Sequence, residues 1–389
     1  MFTNNKIFIP FNKPNIVGNE LKYIKQAVKS GKISGDGIFT KKCHKFLENR
    51  YQAKKVLLTT SGTAALEMAA ILCNIKPGDE VIMPSFTFVS TANAFVLRGA
   101  KIRFVDIRED TLNIDENKIE EKISNKTKAI VVVHYGGVSC EMDKILQIAK
   151  KYNLFVIEDA AHAIESKYKK SYLGTIGDIG CYSFHETKNV ICGEGGAILL
   201  NNESFFERAE IIREKGTDRS KFFRGEVDKY TWVDIGSSYL PSEILSAFLY
   251  AQLEKINQIT NKRLKIWNNY HLSFKFLEEK NIIRRPVIPE NCTHNGHMYY
   301  IILNTQSERD KLMKYLKKNG ILSVFHYLPL HLSPMYLKLE NTNNDSNFSN
   351  DTLKNTIDLS SRLLRLPLYY TIKDSEVNFI IKKIYNHLL

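Results

Sequence analysis

Four short stretches of the sequence carry residue types that could share one site. Residues 61–64, Ser-Gly-Thr-Ala, follow a predicted strand and open a predicted helix, where free backbone N–H groups favour an anion such as phosphate. Asp159 ends another predicted strand, and Lys188 follows five residues after Ser183, which ends a third. Residues 193–196, Gly-Glu-Gly-Gly, lead into a fourth strand. Together they would combine an anion cradle with an acid and an amine.

Each stretch alone also has an ordinary structural explanation. An acid at a strand end is often a helix cap, a lone lysine is usually a solvated surface group, and a glycine pair can simply make a tight turn. A phosphate cradle, Asp159 and Lys188 on successive strand ends are, however, the set that pyridoxal phosphate (PLP) requires. A lysine amine can bond to the cofactor aldehyde and later carry protons, and an acid can keep the pyridine nitrogen protonated.

The elements that would position these residues alternate along the chain. Short apolar runs begin at residues 56, 81, 102, 130, 155, 181 and 197, and helix-like stretches over residues 63–73, 91–98, 114–123 and 142–151 separate several of them. Strands that are apolar on both faces and are separated by helices predict an α/β fold with a mostly parallel sheet flanked by helices. Such sheets bind ligands beyond the carboxyl ends of their strands.

The last third of the chain changes character. Residues 242–276 predict one or two long helices, residues 298–303 and 322–326 predict strands, and residues 308–318 and 375–387 predict helices. The polar residues 340–351 predict a surface loop. We therefore predict a large domain over residues 1–250 and a smaller C-terminal α+β domain over residues 251–389.

The composition excludes several other classes of protein. Of the 389 residues, 43% are hydrophobic and 25% are charged, as in ordinary globular proteins. The longest apolar runs, about five or six residues, are far shorter than the roughly 18–20 residues that span a bilayer. The N-terminus has no signal-peptide core, and the six cysteines are scattered without disulfide or metal-site spacing. We expect a cytoplasmic protein with no membrane partner and no metal.

The net charge of +13 raises the possibility of an anionic partner. A nucleic-acid partner is not expected, because the sequence lacks a basic stripe interleaved with aromatic residues and any binding motif. A small anionic ligand remains compatible with this charge.

Five motifs in order resemble, over essentially the whole chain, the PLP-dependent sugar-nucleotide aminotransferases of the DegT/StrS family. The motifs are Ser61-Gly62-Thr63-Ala64-Ala65-Leu66, Pro84-Ser85-Phe86-Thr87-Phe88, Glu158-Asp159-Ala160-Ala161-His162, Ser183-Phe184-His185-Glu186-Thr187-Lys188-Asn189 and Gly193-Glu194-Gly195-Gly196. The resemblance implies the aspartate-aminotransferase-like fold (fold type I). Within that family, the chain most resembles the dTDP-4-amino-4,6-dideoxygalactose transaminases, and the supporting stretches are residues 185–188, 222–225, 228–232 and 324–331.

The resemblance implies a role for each site residue. Lys188 would be the Schiff-base lysine, and Asp159 would pair with the pyridinium nitrogen. Phe88 would stack on the ring, although without the family a core aromatic at a strand end is favoured. His162 would lie beside the ring, with a structural histidine as its alternative. The residues implied to hold the cofactor are Gly62, Thr63, Ala64, Phe88, Asp159, His162, Ser183, Lys188 and Ser238.

Substrate contacts and a second subunit are also implied by the resemblance. Arg224, His326 and Tyr327 would contact substrate, and the active site would lie at a homodimer interface. Ser238 departs from the family pattern, because many relatives carry there an asparagine that reaches the phosphate of the neighbouring subunit. A serine hydroxyl could still make this contact.

The implied reaction moves the amino group of L-glutamate to the 4-keto carbon of dTDP-4-dehydro-6-deoxy-D-glucose. The same chemistry on a 3-keto isomer or on another nucleotide hexose is the alternative. A PLP-dependent sugar dehydratase would replace Lys188 with histidine. A nucleic-acid-binding or regulatory protein built on this scaffold would need neither Lys188 nor Asp159.

Overall fold

The computed structural model describes residues 8–343 and 353–389. The strands in chain order are β1 (Lys55–Thr59), β2 (Glu80–Pro84), β3 (Lys101–Val105), β4 (Thr127–Val133), β5 (Phe155–Asp159), β6 (Lys167–Tyr168), β7 (Ser171–Tyr172), β8 (Ile179–Ser183), β9 (Gly196–Leu200), β10 (Ile283–Arg284), β11 (Cys292–Thr293), β12 (Tyr299–Leu303) and β13 (Leu363–Leu366).

Helices surround these strands. They are α1 (Glu20–Lys29), α2 (Ile38–Tyr51), α3 (Gly62–Leu72), α4 (Val89–Val96), α5 (Met142–Tyr152), α6 (Phe206–Arg213), α7 (Arg219–Phe223), α8 (Glu243–Glu254), α9 (Ile256–Ser273), α10 (Lys275–Glu279), α11 (Gln306–Lys318), α12 (Pro334–Asn343), α13 (Lys354–Arg362) and α14 (Asp374–Leu388).

A seven-stranded sheet in the order β1-β9-β8-β5-β4-β2-β3 forms the centre of the molecule. Strand β9 runs antiparallel to both neighbours, and the pairs β8-β5, β5-β4, β4-β2 and β2-β3 are parallel. Along β4, Ile130 and Val132 pack into one hydrophobic cluster, and Ala129 and Val131 pack into another. The sheet is therefore buried on both faces, and the prediction of a mostly parallel sheet flanked by helices is confirmed.

The reversed direction of β9 matters for the site. Gly196, its first residue, pairs with Thr59 at the end of β1 and with Ser183 at the end of β8. The glycine-rich turn before β9 thus lies at the same edge as the carboxyl ends of the parallel strands.

The C-terminal part is built around a second sheet, with strand order β10-β12-β13. Its core includes Trp267 from α9, Tyr299 from β12, Leu316 from α11 and Ile384 from α14. The N-terminal segment joins this part: the Ile9 N–H donates to the Gly320 carbonyl at 2.8 Å, and the Leu322 N–H donates to the Ile9 carbonyl at 3.0 Å.

Two predicted elements are wrong. Residues 114–123 form two short 3-10 turns, Glu116–Lys118 and Glu120–Lys122, because the Asp115 side chain accepts a hydrogen bond from the Asn117 N–H and holds a local turn. Residues 322–326 form no strand apart from one isolated bridge between Val324 and Arg365. The chain leaves the extended conformation at Tyr327, where φ is +32°.

The remaining predictions have mixed outcomes. Helix α12 occupies residues 340–343 of the predicted polar loop, and the rest of that loop, through residue 351, lies outside the described residues. Position 250 falls inside α8, which packs against α1 and α2, and the domain division at that position stays a prediction. Within the described ranges, no helix combines the length and apolar character needed to cross a membrane.

All six cysteines are buried as free thiols. The described residues contain no cluster of three or more His, Cys, Asp or Glu side chains placed to hold a metal ion. Burial raises the pKa of the Cys43, Cys140 and Cys181 thiols well above the ordinary value, so these side chains serve as small apolar core residues.

Candidate active site

The four stretches singled out in the sequence meet at one edge of the central sheet. A Cβ atom on Gly62 would lie 2.9 Å from the Ser183 Cβ, and a Cβ on Gly196 would lie 2.4 Å from the Ser61 carbonyl carbon. Only glycine permits approaches this close. Gly193 has a φ of +86°, which suits a tight turn. The stretch over residues 193–196 therefore makes a tight turn and also allows β9 to approach the start of α3 closely.

The start of α3 offers an anion site. The Ser61 hydroxyl caps the helix by accepting a hydrogen bond from the Ala64 N–H at 3.0 Å. The N–H groups of Gly62 and Thr63 have no acceptor in the described part of the chain. Two free amides at a helix N-terminus, beside the Ser183 hydroxyl, fit a phosphate group. Because the Ala64 amide is already engaged, its predicted phosphate contact competes with this cap.

Asp159 lies buried at the end of β5. Its Oδ2 accepts a hydrogen bond of 2.7 Å from the Thr91 hydroxyl, which in turn accepts one of 2.7 Å from the Thr87 hydroxyl. Its Oδ1 accepts a hydrogen bond of 3.2 Å from the Ala161 N–H. The segment that follows is a turn and not a helix, so Asp159 is not a helix cap. These donors fix the carboxylate in one orientation.

Lys188 lies in the turn after β8 and is not a solvated surface group. The pKa of its amine is lowered to about 8, mainly by burial and to a smaller extent by the positive charge of Arg365, while the negative charge of Asp159 acts in the opposite direction. The next residue, Asn189, anchors the turn: its Oδ1 accepts a hydrogen bond of 2.9 Å from His297 Nδ1–H, and its Nδ2 donates to the Asn295 carbonyl at 3.1 Å. Hydrogen bonds from the C-terminal part therefore hold the turn that carries the lysine.

His162 is a buried residue in contact with the part of the chain that anchors this turn. Its ring stacks on His297 with centroids 4.3 Å apart, and its Nε2 lies 3.3 Å from the Tyr327 hydroxyl. Its Nδ1 is buried without a hydrogen-bond partner among the described residues. Burial, helped by the charge of Lys188, lowers the His162 pKa well below the ordinary value, so the ring is neutral. This ring nitrogen can therefore bond to a group placed in the site.

Phe88 is not a core aromatic, because 55% of its surface is exposed. It lies directly before α4, with its ring centroid 6.3 Å from that of Tyr327. The Tyr327 ring in turn stacks on His326 at 3.6 Å, and His326 Nδ1 lies 2.7 Å from the Tyr135 hydroxyl. The structure therefore brings Phe88, Tyr327, His326 and His162 into one cluster.

Two predicted site residues make other contacts, although Tyr239, the residue after Ser238, accepts a hydrogen bond of 2.9 Å from the Thr60 N–H just before the start of α3. Arg224 pairs with Glu210 at 2.8 Å and with Glu226 at 2.6 Å, and Ser238 is exposed in a bridge with Glu214. No hydrogen bond or ion pair joins either residue to the lysine turn within the described chain. Their predicted roles concern a second subunit and stay predictions.

Several residues near the lysine were missed from the sequence. They are Thr91, Tyr135, Asn189, His297 and Arg365. A charged residue inside the apolar run of β13 is a signal that could have found Arg365. Asn189 ends the motif over residues 183–189, but its anchoring role was not predicted. The other three carry no comparable signal, because their contacts join segments that lie far apart in the sequence.

Comparisons with known proteins agree with this geometry. Residues 14–385 match the model of the DegT/DnrJ/EryC1/StrS aminotransferase family. GDP-perosamine synthase of Escherichia coli O157:H7 is 32% identical over 380 residues, covering 97% of this chain and 98% of that protein. An uncharacterized protein of Methanocaldococcus jannaschii is 35% identical over 376 residues, covering 95% of each chain.

A solved structure gives the same result. Spr1654 of Streptococcus pneumoniae, assigned to the sugar aminotransferases, superposes in its apo form with a TM-score of 0.89 and 26% identity, covering 98% of each chain. That protein has also been solved in a PLP form and in a pyridoxamine phosphate form.

Proposed function

Because this chain belongs to the DegT/DnrJ/EryC1/StrS aminotransferase family, we propose that it transfers the amino group of L-glutamate to the 4-keto carbon of a nucleotide-linked 4-keto-6-deoxyhexose. The protein is a PLP-dependent sugar aminotransferase with the fold of the type I PLP enzymes. When bound, PLP supplies an aldehyde that an amine can attack and a ring that accepts electrons. The observation that most supports this proposal is that the Lys188 amine and the Asp159 carboxylate are close enough to interact electrostatically.

Lys188 acts as nucleophile and proton carrier. With a pKa of about 8, a useful fraction of its amine is neutral near neutral pH, whereas an ordinary lysine would be almost fully protonated. A neutral amine can accept a proton from the amino donor's α-carbon, and the ammonium formed can return a proton to the former keto carbon. The anchored side chain of Asn189 keeps the amine in place for both transfers.

Asp159 holds a proton on the pyridine nitrogen. Its carboxylate, oriented by the Thr91 hydroxyl and the Ala161 amide, leaves lone pairs for a further donor. Gly62, Thr63 and Ser183 would hold the phosphate of the cofactor, and Phe88 and His162 would lie beside its ring. His326 and Tyr327 contact substrate beside them.

We take dTDP-4-dehydro-6-deoxy-D-glucose as the acceptor and dTDP-4-amino-4,6-dideoxy-D-galactose as the product. Residues 185–188 and 324–331 support this choice. One observation favours a second candidate, a GDP-linked 4-keto sugar: a relative that is 32% identical over nearly its whole length is a GDP-perosamine synthase. The chain forms a homodimer, and the cytoplasmic location stays a prediction from the sequence.

A product assay tests the reaction. The purified protein is incubated with L-glutamate and either the dTDP- or the GDP-linked 4-keto sugar, or the dTDP-linked 3-keto isomer, and each aminosugar is identified by NMR. We expect the dTDP-linked 4-keto sugar to be aminated fastest. Faster amination of the 3-keto isomer would overturn the assignment of the reacting carbon, and a preference for the GDP sugar would reassign the nucleotide.

The lysine is tested in the same assay. Lys188→Ala should abolish product formation and leave the thermal unfolding transition in place. The matched control is Lys170→Ala, which removes an exposed lysine that lies outside the site and should leave the rate unchanged. Turnover above a trace in Lys188→Ala would show that another group performs this role.

A further inference from the structure

The short segment over residues 295–297 joins the C-terminal part to the turn after β5. Asn295 is fully buried. Its Nδ2 donates to the His162 carbonyl at 2.8 Å and to the Ile164 carbonyl at 2.7 Å, and its Oδ1 accepts a hydrogen bond of 2.9 Å from the His297 N–H. Both ends of this amide are therefore engaged, and the segment is fixed against the chain around His162.

A second pair of hydrogen bonds joins the segment to the lysine turn and fixes the proton on His297. The Asn189 Nδ2 donates to the Asn295 carbonyl at 3.1 Å. Because a carbonyl can only accept, the Oδ1 of Asn189 faces His297, and His297 Nδ1, at 2.9 Å, must be the donor. Burial lowers the pKa of His297 well below the ordinary value, so the ring is neutral and Nδ1 carries its one proton.

The ring of His297 also packs on His162. The two rings are stacked, with centroids 4.3 Å apart and planes inclined by 19°. His297 thus contacts the site through two different features. Its N–H bonds to Asn189, the residue directly after Lys188, and its face lies against the ring of His162.

Arg263 of α9 holds the backbone of this segment in place. It donates to the Gly296 carbonyl at 3.1 Å and to the His297 carbonyl at 2.6 Å, and it also donates to the Leu368 carbonyl at 3.3 Å. A Cβ on Gly296 would lie 2.9 Å from the carbonyl carbon of Arg263, so the two backbones are in close contact. His297 cannot shift relative to α9 without breaking buried hydrogen bonds, which is costly.

A packing role alone explains only part of this arrangement. Any flat aromatic side chain could cover the face of His162, and the bonds of Asn295 and Arg263 already join the segment to its surroundings. What a histidine adds at position 297 is an N–H donor for Asn189. That donor acts on the turn that carries Lys188.

We propose that His297 is a positioning residue with two separate roles: its Nδ1–H holds the Lys188 turn through Asn189, and its ring face holds His162 beside the cofactor. The assignment rests on the roles of Lys188 and His162 in the proposed function. Both roles start from one rigidly held ring, so the lysine turn and the His162 ring keep a fixed spacing. A misplacement of about 1 Å in such a site can cost about 100-fold in rate.

Two substitutions in the full chain separate these roles. His297→Phe keeps an aromatic face for His162 but loses the donor to Asn189, whereas His297→Gln keeps an N–H donor but loses the ring. In the cofactor-free protein, the limiting rate of PLP attachment, measured by stopped-flow absorbance, reports on Lys188. The Kd of pyridoxamine phosphate, measured by calorimetry, reports on the contacts of the cofactor ring, because this form has no aldehyde to bond with a lysine.

The matched controls are His387→Phe and His387→Gln. His387 also stacks on an aromatic ring, that of Tyr315 at 4.6 Å, but it lies in the last turn of α14. Both measurements should stay at the wild-type value in these controls. Thermal unfolding checks that each variant is folded. If His297→Phe does not fold, Asn189→Ala takes its place, because it removes the acceptor of the same hydrogen bond.

We expect PLP attachment to slow at least about tenfold in His297→Phe, while the Kd of pyridoxamine phosphate stays within about threefold of the wild-type value. In His297→Gln we expect the reverse, an attachment rate within about threefold of wild type and a Kd at least about fivefold higher. Variants that change both measurements together, or neither, would overturn the assignment, as would the opposite pattern. Failure of the proposed function is a separate result, because it would appear in the wild type as no amination of any keto sugar.

Discussion

Two charged side chains act in opposite directions on the amine of Lys188. Asp159 stabilises the ammonium form, whereas Arg365, together with burial, stabilises the neutral amine, and the result is a pKa of about 8. Only the neutral amine is nucleophilic. The balance between these neighbours therefore decides which fraction of the protein reacts at a given pH.

This balance predicts a pH dependence for cofactor uptake. In the cofactor-free protein, Lys188 loses its proton as the pH rises through about 8, so the rate of PLP attachment should rise through that range and then level off. Asp159→Asn should move the midpoint to lower pH and Arg365→Gln to higher pH, because each removes one of the opposing charges. Stopped-flow absorbance at a series of pH values measures the midpoint.

The control for this titration is Arg362→Gln, because Arg362 ends α13 and pairs with Asp358, so its loss should leave the midpoint unchanged. A wild-type midpoint above pH 10, the range of an ordinary lysine, would contradict the prediction.

At this scale the sequence predicted residues whose neighbours in the chain form a motif. Lys188, Asp159 and Ser183 each lie at a strand end within such a motif, and the structure places them at one edge of the sheet. Arg365 and His297 belong to no motif, and they reach the site from strands and loops of the C-terminal part. Which side chains of the C-terminal part reach the site depends on long-range packing, which local sequence patterns do not encode.

At the scale of elements, the close contact between β9 and the start of α3 shapes the phosphate site. Gly196 lies against the Ser61 carbonyl and the Gly62 amide, at 2.4 Å and 2.6 Å from the position of an added Cβ. Neither neighbour can move without shifting the helix start. The cradle therefore depends on the absence of a side chain at this position.

Gly196→Ala is expected to separate β9 from α3. We expect a loss of about 1–3 kcal/mol in the free energy of unfolding, typical of overpacking, and weaker PLP binding, because the Gly62 amide moves. Denaturant unfolding and a PLP titration measure the two effects. The control is Gly18→Ala: Gly18 is exposed, and its added Cβ would approach no atom closer than 3.4 Å. Wild-type stability and PLP affinity in Gly196→Ala would show that the cradle tolerates a side chain.

The strands that the sequence predicted well have strong apolar periods, whereas the wrongly predicted helix at residues 114–123 has a competing local bond. All seven strands of the central sheet were predicted within a few residues. The error at residues 322–326 has another cause, because the chain leaves the extended conformation at Tyr327, where φ is +32°. In the structure, His326 is buried against Tyr135, not paired in a sheet.

At the scale of the whole molecule, one polar segment carries exposed aromatic side chains. In residues 213–239, Trp232 is 77% exposed and Phe223 is 71% exposed. Exposed aromatic residues among charged ones are typical of a protein interface. This segment also carries Arg224 and Ser238, which make no hydrogen bond or ion pair with the lysine turn among the described residues, so a role at a partner's site would explain both.

A shared site predicts complementation between inactive subunits. A Lys188→Ala subunit and a subunit with Arg224→Ala and Ser238→Ala are co-expressed with different tags, and the heterodimer is isolated with both. We expect each parent homodimer to be inactive and the heterodimer to recover up to about half of the wild-type rate, because one of its two sites receives both intact halves. Heterodimers as inactive as their parents would show that the segment serves its own chain.

The backbone hydrogen bonds of Ile9 with Gly320 and Leu322 affect how the nascent chain folds during translation. Ile9 is fully buried, yet its partners are translated about 300 residues later, which at about 5–20 residues per second is a delay of about 15–60 s. During that time the segment around Ile9 cannot form its native hydrogen bonds, because Gly320 and Leu322 have not yet been translated. Arg365 is translated later still, so its positive charge joins the site only after this delay.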